Sequence, residues 1–366
     1  MMVAAETFTQ PRARDLGVPF QGTPGALNAI TDLAGVEVGH VTLIEGEGAL
    51  EVGRGPVRTG VTVILPRGRG ANAPVFAGWF SLNGNGEMTG TTWIEESGFL
   101  EGPIAITNTH SVGVVRDAII SWQANNGLLH QPWSLPVVAE TYDGHLNDIN
   151  GFHVRGEHVE QALAQASSGR VEEGAVGGGT GMICYGFKGG IGTASRVVEG
   201  GYTVAALVQA NFGSREQLLI AGAPVGREIE AGVVGREDGQ DLGSIIIVVG
   251  TDAPLLPHQL KRLARRASMG IARTGGTSGN GSGDIFIAFS TANSGAAASD
   301  AEVSVTMLPN GKLNPIFSGT VESVEEAIVN ALVAARTMVG RDGHRVEAIS
   351  HDALREVLRR YNRLAK

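Results

Sequence analysis

Apolar positions recur along the chain in short runs, and the period of each run names an element. Residues 35–41 (GVEVGHV), 61–65 (VTVIL), 104–107 (IAIT) and 202–208 (YTVAALV) are alternating or unbroken apolar stretches close to Gly, Pro or Asn, and predict strands. Residues 114–123 and 157–166 predict helices. Residues 244–249 (SIIIVV) predict a strand whose unbroken apolar character implies cover on both faces. Pro254 and Pro257 then open a helix through 272, proline being tolerated in a first turn. Strands are predicted over 284–290 and 302–308. Ser323-Val324-Glu325-Glu326 reads as a capping box that starts a helix with Ala327, Ile328, Ala331, Leu332 and Ala335 on one face, stopping near Gly340. Residues 352–361 predict a last helix. Strands and helices fall in runs rather than strict alternation, which favours sheets layered with helices over a doubly wound parallel sheet.

Two stretches stand apart from these periods. Residues 1–25 are polar and rich in Pro and Gly, and read as an ordered arm or a frayed end. Residues 226–243 (GREIEAGVVGREDGQDLG) are charged and glycine-rich, and predict an exposed, mobile loop of the kind where chains are cut.

Composition narrows the class. The chain has 366 residues, 42% apolar and 18% charged, so it is globular and can bury a large core. Its 54 glycines are about twice the usual ~7% share, which implies tight turns and close backbone approaches. A net charge of −9 argues against nucleic-acid backbones and anionic membranes as partners. The most basic run, residues 261–266 (KRLARR), has the spacing of the wet face of an amphipathic helix. Cys184 is the only cysteine, which rules out an intrachain disulfide. It sits in a strand-like apolar run with no adjacent basic residue to activate it. There is no apolar run of about 18 residues and no secretory pattern at the N-terminus, so a cytoplasmic protein is expected.

Candidate chemistry starts with the glycine loops. Residues 84–90 (GNGEMTG) miss the dinucleotide spacing, and Gly281-Ser282-Gly283-Asp284 has an aspartate where a phosphate-binding loop needs lysine. These loops, with 176–181 and 274–283, read as places where backbone approaches another chain or a substrate. The histidines are scattered, and the Asp143, His145, Asn147, Asp148 cluster reads as a turn capping itself, so neither a metal nor an organic cofactor is expected. Ser282 and Asp284 form a hydroxyl–carboxylate pair two residues apart, or simply a glycine turn ended by a capping aspartate. Ser244 likewise has two readings. It starts a strand, or Gly243–Ser244 is a scissile bond. Gly243 leaves its carbonyl unshielded and tolerates strain, and attack by the Ser244 hydroxyl would form an ester that water resolves. The freed Ser244 α-amine, with a pKa near ~8, is then a built-in base.

The chain also resembles the L-aminopeptidase/D-amidase-esterases and their sister β-peptidyl aminopeptidases. The resemblance is carried by residues 12–40 (RARDLGVPFQGTPGALNAITDLAGVEVGH), GGGTGM and FKGGIGTASR within 177–196, VQANFG at 208–213, GSIIIVVGTDAPLLPHQL at 243–260 and SGNGSGDIF at 278–286. It implies an α+β fold, a four-layer αββα sandwich similar to N-terminal-nucleophile hydrolases with different connectivity. One domain over 1–366 is expected, self-cleaved between Gly243 and Ser244 into chains 1–243 and 244–366 that stay associated as a tetramer of αβ units. The resemblance makes Ser244 the nucleophile, supported by Ser282 and Asp284. It makes Asn211 an oxyanion donor, Glu140 the carboxylate that holds a substrate ammonium, and Tyr142 a second contact to the reacting centre. Glutamate stands at the Asp284 position in the β-peptidyl branch, so the aspartate and Tyr142 look like the L-aminopeptidase branch. The expected activity is release of small N-terminal L-residues, and of D-alanine-type groups, from peptides, amides and esters. The alternatives are a β-peptidyl aminopeptidase and, more distantly, an ornithine acetyltransferase-like acyl transferase, whose threonine nucleophile is not matched by Ser244. A glycine-rich binding or assembly protein in which Ser244 never reacts is the non-enzymatic rival.

Overall fold

The computed structural model describes residues 10–229, 243–298 and 300–365. The first half contains β1 (Glu37–Glu45), β2 (Val57–Leu65), β3 (Val75–Ser81), α1 (Thr91–Ser97), β4 (Phe99–Leu100), β5 (Ile104–Asn108), α2 (Val112–Asn125), β6 (Val137–Thr141) and α3 (Gly156–Gln165). The second contains β7 (Ile183–Cys184), β8 (Phe187–Lys188), β9 (Gly190–Val197), β10 (Thr203–Asn211), α4 (Val225–Glu228), β11 (Ser244–Thr251), α5 (Pro257–Arg273), β12 (Ile285–Ser290), α6 (Asn314–Ala334), β13 (Met338–Val339), β14 (Arg345–Val346) and α7 (His351–Arg360). Two large sheets form, ordered β1-β2-β5-β6 and β4-β3-β12-β11-β10-β9.

The sheets stack face to face between two helical layers. Ile64, Ile104, Ile106 and Val137 meet Leu207, Ile246, Val248 and Ile287 between the sheets. Helices α2 and α3 cover the outside of the smaller sheet, where Ile119, Val159 and Leu163 pack with Val61, Val63 and Val138. Helices α5 and α6 cover the larger one, where Leu263, Ile271, Val324, Ile328 and Leu332 pack with Val208, Ile245, Ile247 and Phe286. The expected α–β–β–α layering is therefore observed. It also explains the apolar run after Ser244. Ile245, Ile247 and Val249 face the helices, Ile246 and Val248 face the other sheet, and all five are fully buried. Each such side chain contributes about 1.5–3 kcal/mol, which pins β11 from both sides.

Two expectations are corrected, and a third falls mostly outside the described residues. Helix α6 starts at Asn314, with proline in its first turn, and ends at Ala334 rather than near Gly340. Ser323 is buried mid-helix and donates to the Val204 carbonyl at 3.2 Å. Glu326 pairs with Arg196 and Arg14, at 2.7 Å and 2.8 Å, so the capping pattern is absorbed by tertiary packing. Residues 302–308 form no strand. Val303, Val305 and Met307 alternate as predicted but lie exposed, with no neighbouring strand among the described residues. Of the predicted loop over 226–243, residues 230–242 lie outside the described residues. Its described ends are enclosed: Gly226 belongs to α4 and, like Gly243, is buried.

Candidate active site

Strands β10 and β11 run antiparallel, and Asn211 and Ser244 are register partners at one end of the ladder. Alternation along a strand puts Ser244 on the side of Ile246 and Val248, and Gln209 and Asn211 on the side of Leu207. The dry seam between the sheets thus ends in three polar side chains. Gln209 closes the end of that seam. Its amide donates to the Thr107 carbonyl at 3.0 Å and to Thr141 Oγ1 at 2.8 Å, tying the two sheets together.

Strand β12 runs parallel to β11 and pairs Ile285 with Ile246. Its approach brings residues 282–284 alongside the start of β11. The Ile245 N–H donates to Asp284 Oδ1 at 3.2 Å. Ser282 Oγ lies 2.6 Å from the same Asp284 oxygen and also contacts the Gly243 carbonyl oxygen. A hydroxyl has one proton, so Ser282 can serve either acceptor but not both at once. The Gly283 N–H donates to Ser244 Oγ at 3.0 Å. Ser282 and Asp284 are fully buried, and Ser244 is 6% exposed.

The glycine loops make this approach possible. A Cβ on Gly283 would stand 2.5 Å from the Asn85 carbonyl oxygen and 2.6 Å from Gly86 Cα. The 84–90 stretch is therefore docked backbone to backbone against 281–284. Asn85 donates to the carbonyl of Gly281 through its side chain, at 2.9 Å, and to that of Ser282 through its N–H, at 3.2 Å. Asn83 braces Asp284, accepting its N–H and standing 3.4 Å from its Oδ2.

The amide of Asn211 is oriented at both ends. Its Oδ1 accepts the Ile183 N–H at 2.8 Å, and its Nδ2 donates to the Tyr142 carbonyl at 3.0 Å. These bonds use the oxygen and one amide hydrogen, and a primary amide carries a second. Tyr142 joins this cluster through its backbone. Its ring is 46% exposed and lies against Gly144, so no contact from its hydroxyl to Ser244 is seen. Glu140, on β6, is buried. Its Oε1 accepts the Glu87 N–H at 3.0 Å and its Oε2 accepts from Thr109 Oγ1. Burial pushes its carboxyl above the usual range, while the bonds from Thr109 and the Glu87 N–H pull it back.

Asn83, Thr109 and Gln209 were not singled out in the sequence, whereas Gly283 lay in a glycine loop already read as a place of close backbone approach. The unusual density of glycine around 279–283 is the one signal that pointed near them. The Asp143 cluster is a buried turn, as expected. Asn147 donates to Asp143 Oδ1 at 3.0 Å, and His153 pairs with Asp148 at 2.8 Å. Among the described residues no three His, Cys, Asp or Glu side chains gather to hold a metal ion. Cys184 is buried on β7.

The sequence pattern of Peptidase family S58 matches residues 28–346. The chain belongs to peptidase family S58. This S58 chain is 56% identical over 383 residues to the β-peptidyl aminopeptidase BapA of Sphingosinicella microcystinivorans, covering 100% of this chain and 96% of that one. It is 48% identical to the protein of the same name from Sphingosinicella xenopeptidilytica, over 98% of this chain and 93% of that one. The solved L-aminopeptidase D-Ala-esterase/amidase of Ochrobactrum anthropi, described as a new variant among the Ntn hydrolase fold, superposes with a TM-score of 0.90. That pair is 53% identical, over 97% of this chain and 100% of the other. A Burkholderia sp. β-aminopeptidase gives a TM-score of 0.87 at 51% identity, over 96% and 99%. The S58 chain is thus an aminopeptidase of the serine, Ntn-hydrolase type. Among the described residues no helix is long and apolar enough to cross a membrane.

Proposed function

We propose that this S58 aminopeptidase processes itself at Gly243–Ser244 and then removes N-terminal β-amino acids from small peptides through an acyl-enzyme on Ser244. The observation that carries the reading is the contact of Ser282 Oγ with the Gly243 carbonyl oxygen, beside the Ser244 hydroxyl. In self-cleavage, Ser244 Oγ attacks the Gly243 carbonyl carbon and the Ser244 amide nitrogen leaves as an amine. Water then hydrolyses the ester, releasing the Gly243 carboxylate and restoring the hydroxyl. The same hydroxyl next attacks the substrate's scissile carbonyl, the C–N bond breaks and the amine leaves carrying the serine proton. Water then hydrolyses the acyl-enzyme to free the N-terminal residue and restore the hydroxyl. Asn211 donates to the oxyanion, a role typically worth about 3 kcal/mol per donor. The α-amine or the Ser282–Asp284 pair takes the Ser244 proton. Glu140 anchors the substrate ammonium through a charge-assisted bond.

The sequence reading put L-residues and D-alanine-type amides first. The two BapA relatives favour its alternative, so β-amino acids now come first. One observation supports the other branch: the carboxylate beside Ser282 is the shorter aspartate. The reading carries with it a cytoplasmic tetramer of αβ units acting on small peptides, amides or esters.

Two measurements test the proposal. Intact-mass analysis under denaturing conditions should give fragments ending at Gly243 and starting at Ser244, and Ser244→Ala should give one chain. Rates on β-alanyl p-nitroanilide should exceed those on the L- and D-alanyl compounds, and the reverse order would return the assignment to the L-aminopeptidase branch.

A further inference from the structure

Lys188 is fully buried at the end of β8, and its described bonds run to backbone carbonyls. Its ammonium donates to Met182 O at 2.6 Å and Gly189 O at 3.0 Å, with Gly179 O at 3.4 Å. Burying that charge is unfavourable: it pushes the ammonium pKa down to about 7, against a pull upward from Cys184 and Asp143. Satisfying the Met182 carbonyl does not require it, because the Gly189 N–H already donates there at 2.9 Å.

The bond to Met182 has a specific destination. The Met182 carbonyl and the Ile183 N–H belong to one conjugated peptide unit. That N–H is the group donating to Asn211 Oδ1, at 2.8 Å. We propose that Lys188 is a positioning residue for the oxyanion donor, acting by polarising the Met182–Ile183 peptide and, through it, the side-chain amide of Asn211. A charged donor at a peptide oxygen draws electron density from the nitrogen and strengthens its N–H as a donor. The same shift recurs in the primary amide of Asn211, where a bond accepted at Oδ1 strengthens donation from Nδ2. The relay crosses two amides, breaks no bond and moves no proton. It rests on the reading of Asn211 as the oxyanion donor.

The test is a double-mutant cycle on the acylation rate of the processed full-length protein, with β-alanyl p-nitroanilide and the variants Lys188→Met, Asn211→Ala and both. Lys188→Met should slow acylation by about tenfold, roughly 1.4 kcal/mol, with KM nearly unchanged. In the Asn211→Ala background the same change should matter less than about twofold. An equal loss in both backgrounds overturns the relay and leaves Asn211 standing. A wild-type rate for Asn211→Ala overturns the oxyanion reading itself.

Should Lys188→Met not fold, the wild-type protein with labelled Ile and Asn nitrogen gives a second readout by NMR. On titrating from about pH 5 to about pH 9, the Ile183 backbone amide and the Asn211 side-chain amide should shift with one midpoint. The groups facing Lys188 are Cys184 and Asp143. Arg215 binds the carbonyls of Tyr185 and Gly186 on the same hairpin, and the Glu347 carbonyl accepts the Lys188 N–H. An Asn211 signal that stays fixed while that of Ile183 moves overturns the relay.

Discussion

Asn211 and Ser244 are directly opposed across β10 and β11, so an amide and a hydroxyl project from neighbouring strands to the same side of one sheet. Neither depends on a loop for its position. If the amide acts only on the developing oxyanion, Asn211→Ala lowers kcat by about 10²–10³ with little change in KM. Steady-state kinetics on an alanyl or β-alanyl p-nitroanilide measures both. A rise in KM at constant kcat would make Asn211 a substrate-binding group instead.

Ser282 and Asp284 are expected to act on self-cleavage as well as on turnover. Ser282→Ala removes the hydroxyl from the Gly243 carbonyl, and Asp284→Asn keeps the shape while removing the charge. Each should slow the appearance of the two fragments by at least about tenfold, on the scale of one lost charge-assisted bond. Time-resolved denaturing gels of freshly folded protein follow this. Fragments forming at the wild-type rate in both variants would remove the pair from the mechanism.

Glu140→Gln should act on recognition of the amine. Loss of a charge-assisted bond of about 1.5–3 kcal/mol raises KM by roughly 10–100-fold for substrates with a free N-terminus. In the wild type, burial raises the Glu140 carboxyl, so its charge is lost at a higher pH than for an exposed glutamate. KM should therefore begin to climb, as pH falls, before an ordinary glutamate would titrate. The Gln variant should lack this rise, and pH-dependent KM values for both proteins decide it.

His40 supplies a separate stability test. It is largely enclosed, its Nδ1 bonds Thr62 Oγ1 at 2.9 Å, and burial pushes its pKa down to about 4. The folded value is depressed, so the unfolded chain takes up this proton first. Stability is fully present above the ordinary value near 6.5 and falls as pH drops toward 4. The loss is on the order of 2–3 kcal/mol. His40→Gln should flatten that segment of the profile, read by urea unfolding at several pH values. An unchanged slope would assign the acid sensitivity elsewhere.

The strands β1, β2, β5, β10, β11 and β12 were legible from period, whereas the four-layer stacking was implied by the family resemblance. The apolar run after Ser244 announced a doubly covered strand, and the described core agrees residue by residue. Two errors came from local motifs read without their partners. The capping pattern at Ser323 lost to a buried environment in which Val204 and Arg196 satisfy its polar groups. The alternation over 302–308 had no neighbour to pair with. Within the site, Ser244, Asn211 and the Ser282–Asp284 pair do converge, whereas the Tyr142 ring does not join them. What stayed hidden was the second tier. Nothing in the sequence says that Gly283 must face Asn85, or that Lys188 reaches the peptide ahead of Asn211, because both are contacts between distant loops.

In the six-stranded sheet, β11 and β12 hold the two middle places, and all four strands flanking them precede residue 243. A break ahead of Ser244 therefore produces two polypeptides threaded through one another. Neither fragment owns a contiguous half of the sheet, so neither can leave without tearing hydrogen-bonded ladders on both sides. The fresh terminus would sit at the rim of a strand buried along its whole length, anchored by neighbours left and right. Scission of this kind changes the number of chain ends while leaving the architecture as a single interlocked object.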